Sequence, residues 1–147
     1  MPATNSGYAG DVAARSAFEA LETIPAAVLV DVRTRAEWSY VGVPSLAGIG
    51  KETIFVSWDD FCSGTLVPDF AGRLKAVLDE KGVAADAPVY FICRSGARSR
   101  NAAVAATAAG YANCFNVESG FEGALGPDRH RATPGSWKGE NLPWTQT

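Results

Sequence analysis

The chain has 147 residues, enough for one domain with a substantial hydrophobic core. Hydrophobic and charged residues make up 47% and 20% of it, which is typical of a globular protein and excludes an intrinsically disordered one. The net charge of −3, without any run of more than two basic residues, argues against nucleic-acid binding. No apolar stretch approaches the length of a membrane span, so we expect no membrane association.

The cysteine and histidine content indicates a reducing compartment and no metal centre. Cys62, Cys93 and Cys114 are odd in number and include no close pair, which argues against a disulfide framework. The first residues lack the basic and apolar regions of a secretory signal, so we expect a cytoplasmic protein. His130 is the single histidine, and its position between arginines favours an exposed loop residue over a metal ligand.

Hydrophobic periodicity divides the chain into alternating helices and strands. Residues 1–10 are small and polar and predict a flexible leader, followed by a single domain over residues 11–147. Amphipathic spacing predicts helices, and continuous apolar runs predict strands that are covered on both faces. The predicted elements are, in chain order, a helix from Asp11 to Leu21, a strand over 27–32, a short helix from Thr34 to Tyr40 with Trp38 on its buried side, a loop over 42–50, a strand over 53–58, a helix from Asp69 to Lys81 closed by Gly82, a strand over 89–92, a helix from Ser99 to Ala109 closed by Gly110, a strand over 113–117 and an irregular tail from Glu118 onwards.

This alternation predicts an α/β fold in three layers, a mostly parallel central sheet with helices on both faces. In such a sheet the ligand binds outside the carboxyl ends of the strands. Two polar groups follow predicted strands at such ends: Asp31 and Arg33 after the first strand, and Cys93 with its loop after the third. The topology brings both to one edge of the sheet, where we expect the functional site.

The segment from Cys93 to Ser99 has the composition of a reactive-thiolate loop. Cys93 follows the apolar run 88–92, and the loop after it contains a glycine and two arginines before a helix begins. Successive loop N–H groups can converge on an anion, and the N-terminus of a helix adds partial positive charge. The same field predicts a lowered pKa for Cys93, which would make it a nucleophile at neutral pH. Arg94 and Arg98 add positive charge suited to oxyanions.

Several segments resemble rhodanese-like domains, in the expected order from about residue 11 to residue 144. The most specific is Val-Tyr-Phe-Ile-Cys-Arg-Ser-Gly-Ala-Arg-Ser at 89–99, which resembles their active-site loop. Leu-Val-Asp-Val-Arg at 29–33, with Glu37 and Trp38 shortly after, resembles their first motif. Segments 110–123 and 135–144 resemble the part after the loop helix and the tail of bacterial single-domain members. Two departures concern the pocket wall and acceptor specificity: residues 42–48 lack the family's usual histidine, and Ser119-Gly120 replaces the usual double glycine.

The resemblance implies a thiosulfate sulfurtransferase of the rhodanese type. A sulfane-sulfur donor such as thiosulfate would pass its outer sulfur to the Cys93 thiolate, which leaves a persulfide and sulfite. A thiophilic acceptor, such as cyanide, a small thiol or a protein thiol, would then take the sulfur, and no cofactor is required. The loop would bind the substrate and stabilise the persulfide anion through its N–H groups. The residues implied in substrate binding are Arg94, Ser95, Gly96, Ala97, Arg98 and Ser99.

Within this loop the residues divide into contacts and supports. Arg94 is expected to contact the donor's sulfonate oxygens, while Arg98 would do the same or tie the loop to the domain. Ser99 is interpreted as the N-cap of the following helix rather than a catalytic group. Gly96 is expected to serve the backbone geometry, because a tight loop requires a residue that tolerates a positive φ.

Other polar and sulfur-containing residues favour structural interpretations. Asp31 and Arg33 are expected to support the site as a structural ion pair rather than touch substrate. Cys62 and Cys114 are interpreted as ordinary small side chains rather than as a second redox centre. Since Cys62 lies in a predicted loop over 61–64, a resolving-thiol role stays open for it.

Two competing functions remain. A cysteine loop that closes on an arginine also suits a phosphatase, but such phosphatases on this fold place the arginine six positions after the cysteine. Here that position is Ser99, and the loop ending at Arg98 makes a smaller cradle, which favours a single sulfur over a phosphate. The other alternative is a domain that carries a persulfide for a protein partner without turnover, and the sequence does not separate it from an enzyme.

Overall fold

The computed structural model describes residues 7–58, 69–126 and 130–146. Within these ranges a central sheet contains five parallel strands, and a second sheet contains two short antiparallel strands. The strands are β1 (Gly10–Val12), β2 (Val28–Asp31), β3 (Val43–Pro44), β4 (Ile54–Phe55), β5 (Pro88–Ile92), β6 (Asn113–Val117) and β7 (Trp144–Thr145). The helices are α1 (Ala14–Thr23), α2 (Arg35–Val41), α3 (Phe70–Glu80) and α4 (Ala97–Ala108), with a 3₁₀ turn at Ala47–Ile49.

The central sheet has the strand order β1-β6-β5-β2-β4. The predicted α/β fold with a mostly parallel sheet is confirmed. Strand β2 lies beside β5, with Asp31 opposite Ile92, so the polar ends of the two strands are neighbours. This register brings Asp31, Arg33 and Cys93 to the same edge of the sheet, as the sequence predicts.

Alternate residues of the strands face two separate cores. Helices α3 and α4 pack on one face, where Leu74 and Ala103 meet Val30 and Phe91. Helix α1 packs on the other face with the C-terminal segment. Each fully buried aliphatic side chain contributes about 1.5–3 kcal/mol to folding. The core members on the α1 face include Ala17, Leu21, Leu29, Ile92, Val117, Phe121 and Trp137.

The prediction for the N-terminal region was wrong in two respects. Residues 11 and 12, predicted as the start of a helix, form β1 together with Gly10, and this strand pairs with Phe115–Val117 of β6. Tyr8, predicted to lie in a flexible leader, is buried in the core. Ala9 also belongs to the packed structure, because its N–H donates to the carbonyl oxygen of Cys114 at 2.8 Å. An edge strand of three residues is too short to show a period of two, so the helical spacing extended over it.

The remaining elements lie close to their predicted places. Strand β4 is shorter than predicted over 53–58, although Val56 and Trp58 still donate backbone N–H groups to Asp31 and Val32. The C-terminal tail packs on the domain: Trp137 is fully buried and donates its Nε1–H to the carbonyl oxygen of Pro143 at 2.7 Å. Strand β7 then pairs with β3. Cys62 and the loop predicted around it lie outside the described residues.

Candidate active site

Cys93 lies directly after β5, and the loop leading to α4 encloses its sulfur. Only 1% of the residue is exposed. The backbone N–H of Gly96 donates to Cys93 Sγ at 3.2 Å, and the N–H of Ser99 donates to it at 3.3 Å. Backbone donors at the start of a helix stabilise a negatively charged sulfur. The loop therefore provides the environment of an anion-binding site around this atom.

Further N–H groups of the same loop are available to an incoming anion. Within the described residues, the backbone N–H groups of Arg94, Ser95 and Ala97 donate to no acceptor. All three residues are exposed. Arg94 and Ser95 precede the helix, and Ala97 lies in its first turn, where N–H groups have no partner inside the helix. These unpaired donors belong to the same loop as the two N–H groups that contact the sulfur.

The expected role of Ser99 as the helix N-cap was wrong. Helix α4 begins at Ala97 with Gly96 as its N-cap, so Ser99 lies in the first turn. Its hydroxyl oxygen is buried 3.2 Å from Cys93 Sγ and 2.6 Å from Oδ1 of Asn116. The helix starts early because Gly96 adopts a φ of 106°, which turns the chain sharply after the cysteine. Ser99 is thus a contact of the sulfur rather than a cap.

Two glycines allow the loop to lie against the segment after β6. Gly96 has a positive φ, and a Cβ there would collide with the carbonyl oxygen of Glu118. Gly120 has a φ of 65°, and a Cβ there would lie 2.6 Å from the carbonyl oxygen of Cys93. Both positions therefore require glycine for conformation and for space.

The segment after Gly120 holds the backbone of the active loop. The N–H of Phe121 donates to the carbonyl oxygen of Cys93 at 2.8 Å. The N–H groups of Glu122 and Gly123 both donate to the carbonyl oxygen of Arg94 at 3.0 Å. These bonds occupy the carbonyl oxygens of Cys93 and Arg94 and fix the start of the loop to the segment after β6.

Arg98 ties the loop to α2, one of the two roles that the sequence left open. Its Nη1 and Nη2 contact the two carboxylate oxygens of Glu37 at 2.6 and 2.9 Å. Thr34 caps α2, and Glu37 completes a capping box with it. Burial by itself raises the pKa of Glu37, but the bonds from Arg98 and Thr34 outweigh it and hold this pKa below its usual value. Glu37 is the buried residue of α2, whereas Trp38 is only half-buried.

Asp31 and Arg33 form a fully buried ion pair, in line with their structural interpretation. Arg33 Nε donates to both carboxylate oxygens at 3.0 and 3.1 Å, and Nη2 contacts Asp31 Oδ2 at 2.7 Å. Nη2 also donates to the carbonyl oxygen of Gly42, and the guanidinium lies 4.4 Å from the centre of the Phe121 ring. The pair therefore fixes the end of β2 to the segment that holds the active loop.

A pocket of about 290 Å³ opens beside the loop. Arg94 lines it, and its exposed side chain makes no hydrogen bond or ion pair within the described residues. Arg131 lines the same pocket and donates Nη1 to the carbonyl oxygen of Gly123. The remaining lining residues are Ala36, Glu37, Tyr40, Val41 and Glu122. The pocket thus offers the unengaged guanidinium of the residue that follows Cys93 in the chain.

Sequence reasoning missed Asn116 and Glu37 as parts of the site. Glu37 has a readable signal, because Thr34 and Glu37 have the spacing of a capping box. Asn116 has no such signal in the sequence, because its side chain meets Ser99 only through the pairing of β6 with β5. The other described cysteine lies in a different environment: burial raises the pKa of Cys114 to about 11, against a weaker opposing effect of a Thr107 bond, so it stays a neutral thiol.

The described residues contain no cluster of side chains suited to a metal ion. In the same part of the chain, no helix combines the length and apolar character that crossing a membrane requires. The roles of Cys93 and its loop in catalysis stay a prediction.

Comparison with known proteins identifies the class of this fold and loop. The family described as "Rhodanese-like domain" matches residues 14–125. The chain therefore belongs to the rhodanese-like domain family, and it is a domain of the sulfurtransferase type.

Individual proteins resemble this chain over most of its length. An uncharacterized protein of Rickettsia conorii is 39% identical over 134 residues, which cover 91% of this chain and 95% of the relative. The crystal structure of Rv0390 from M. tuberculosis has a TM-score of 0.84 at 42% identity and covers 95% of this chain and 99% of that one. The polysulfide-sulfur transferase homodimer of Wolinella succinogenes shares the fold, with a TM-score of 0.61 at 23% identity, covering 93% of this chain and 78% of that one.

Proposed function

We propose that this protein is a cytoplasmic thiosulfate sulfurtransferase that works through a persulfide on Cys93. The thiolate attacks the outer sulfur of thiosulfate, a new S–S bond forms, and the S–S bond of thiosulfate breaks. Sulfite leaves with the electron pair of that bond. An acceptor nucleophile such as cyanide or a thiol then attacks the terminal sulfur, and Cys93 leaves as a thiolate.

The observation that carries this proposal is the set of N–H donors around one sulfur. Gly96 and Ser99 donate to Cys93 Sγ, and other loop N–H groups are unpaired beside it. Donors fixed in advance around a developing negative charge stabilise it without reorganisation. Such a loop stabilises a thiolate before sulfur transfer and a persulfide anion after it.

Arg94 is the residue that supports an oxyanion-bearing donor. Its guanidinium is exposed, unpaired within the described residues and adjacent to Cys93 in the chain. Arginine binds oxygen anions through paired, charge-assisted hydrogen bonds. The sulfonate oxygens of thiosulfate are the group that it would bind.

The geometry argues against a phosphatase. Arg98, which would have to bind the phosphate, is engaged by the carboxylate of Glu37. The position six residues after the cysteine is Ser99, which is buried against the sulfur. A tetrahedral phosphate therefore lacks the arginine that closes such loops.

Thiocyanate formation from thiosulfate and cyanide tests the proposal. We expect the wild type to turn over with parallel double-reciprocal plots, because the two substrates react in separate steps. Cys93→Ser should abolish turnover while the fold is retained, and Cys114→Ser should leave it unchanged. Turnover by Cys93→Ser would contradict the assignment. A wild type that loads sulfur without turning over cyanide would instead be a persulfide carrier.

A further inference from the structure

A chain of hydrogen bonds connects Cys93 to the N-terminal strand β1. Ser99 Oγ lies 3.2 Å from Cys93 Sγ and 2.6 Å from Oδ1 of Asn116. Asn116 Nδ2 donates to Oδ1 of Asp11 at 2.9 Å, and the hydroxyl of Tyr8 donates to the same oxygen at 2.8 Å. The match to the rhodanese-like family begins at residue 14, so Tyr8 and Asp11 lie outside it.

The chemistry of each group fixes the direction of these bonds. A carboxylate oxygen only accepts, so Asn116 presents its NH₂ group to Asp11 and its carbonyl oxygen to Ser99. That carbonyl oxygen also only accepts, so Ser99 donates its single hydroxyl hydrogen to Asn116. Ser99 Oγ therefore offers a lone pair, and no hydrogen, to the sulfur of Cys93.

We propose that Asp11 is a positioning residue for Cys93: acting through Asn116, it holds the Ser99 hydroxyl as the hydrogen-bond acceptor of the resting thiol. The S–H group then has an acceptor 3.2 Å from its sulfur. When the thiolate forms, the Ser99 hydroxyl must turn its hydrogen from Asn116 to the sulfur, which breaks the bond that Asp11 supports. The N–H groups of Gly96 and Ser99 favour the thiolate, so the two influences on Cys93 oppose each other.

Several charged groups surround this chain of hydrogen bonds. Arg100 on α4 and Glu118 after β6 act electrostatically on Tyr8. The loop after Cys93 adds Arg94 and Arg98, the latter paired with Glu37. Removal of the Asp11 carboxylate therefore changes the local charge as well as the direction of the hydrogen bonds, and the test must separate the two.

The pH dependence of Cys93 alkylation by iodoacetamide, followed on the Cys93 peptide by mass spectrometry, is the measurement. In Asp11→Ala the Asn116 amide is free to turn, and the Ser99 hydroxyl can donate to the sulfur. We expect the midpoint of alkylation to fall by about half a pH unit, or about threefold faster alkylation below the midpoint. Glu118→Gln removes a nearby charge without touching the chain of bonds and should shift the midpoint less.

A double variant separates hydrogen-bond direction from charge. In a Ser99→Ala background there is no hydroxyl hydrogen to turn, so Asp11→Ala should lower the midpoint only by the smaller amount that the loss of its charge produces. Asn116→Ala removes the acceptor of the same hydrogen and should lower the midpoint as Asp11→Ala does, which keeps the test decisive if Asp11→Ala fails to fold.

The proposal would be overturned if Asp11→Ala shifted the midpoint of Cys93 alkylation equally with and without the Ser99 hydroxyl. An unchanged or raised midpoint in Asn116→Ala would also overturn it. The inference rests on the proposed role of Cys93 as the reacting group. Alkylation requires no sulfur donor, so a failure of sulfur transfer and a failure of this proposal are distinguishable.

Discussion

The two arginines of the active loop differ in what they contact. Arg98 is engaged by Glu37 of α2, whereas Arg94 is exposed and unpaired within the described residues. In the sequence both are cations a few positions after Cys93, and nothing in the spacing separates their roles. The difference arises because α2 brings a carboxylate to one of them, a contact between residues 61 positions apart.

Arg94→Ala should weaken the binding of thiosulfate. A hydrogen bond to a charged group contributes about 1.5–3 kcal/mol, so we expect KM for thiosulfate to rise by about tenfold or more. Steady-state kinetics measure this, and the melting temperature should change little because the side chain is exposed. Arg35→Ala, which removes an exposed arginine that does not line this pocket, is the matched control. An unchanged KM in Arg94→Ala would show that Arg94 does not bind the donor and would assign donor binding to the backbone N–H groups.

At the scale of elements, the site depends on the segment after β6 and on α2. The long helices and the buried strands β2, β5 and β6 could be predicted from the sequence, because their apolar spacing repeats over several residues. Strand β1 could not, since three residues carry no period, and the N-cap of α4 was misplaced because Gly96 itself starts the helix. Asn116 reaches the site only through tertiary pairing, which no local pattern encodes. The capping-box spacing marks Glu37 at the start of α2, but it does not predict the contact with Arg98.

Gly120→Ala tests the close approach of this segment to the active loop. Gly120 has a φ of 65°, and a Cβ there would meet the carbonyl carbon of Arg94 at 2.5 Å and the carbonyl oxygen of Cys93 at 2.6 Å. We expect lost sulfur transfer and a marked fall in melting temperature. Gly82→Ala is a matched control, because Gly82 has a similar φ of 71° and no atom near its Cβ position. It should lose only about 1 kcal/mol from backbone strain. Similar effects of the two substitutions would show that the close approach is unimportant.

The ion pair between Arg98 and Glu37 should make the domain sensitive to acid. Since the pKa of Glu37 is held below its usual value, this pair stabilises the fold above that usual value and loses its effect as the pH falls through the lowered pKa. Glu37→Gln should destabilise the protein by about 2 kcal/mol at neutral pH. Melting temperatures between neutral pH and pH 3 should therefore converge for the two proteins at the acid end. If the melting temperatures of the two proteins differed by the same amount at every pH, the ion pair would make no contribution to acid sensitivity.

At the scale of the whole molecule, both ends of the described chain pack on the family domain. The segment around Tyr8 and β1 adds an edge strand beside β6, and the tail places Trp137 in the core below α1. Phe18 and Trp137 meet edge to face with ring centres 5.7 Å apart. The sequence predicts that the tail wraps on the domain. It predicts a flexible leader over residues 1–10 because nearly all of them are small or polar, and one tyrosine among them is too little apolar pattern to indicate burial.

The measurement that tests the central claim most directly is intact-protein mass spectrometry after incubation with thiosulfate under non-reducing conditions. We predict that the wild type and Cys114→Ser each gain one sulfur atom, that cyanide removes it, and that Cys93→Ser gains none. A sulfur adduct on Cys93→Ser, or no adduct on the wild type, would contradict persulfide chemistry at Cys93.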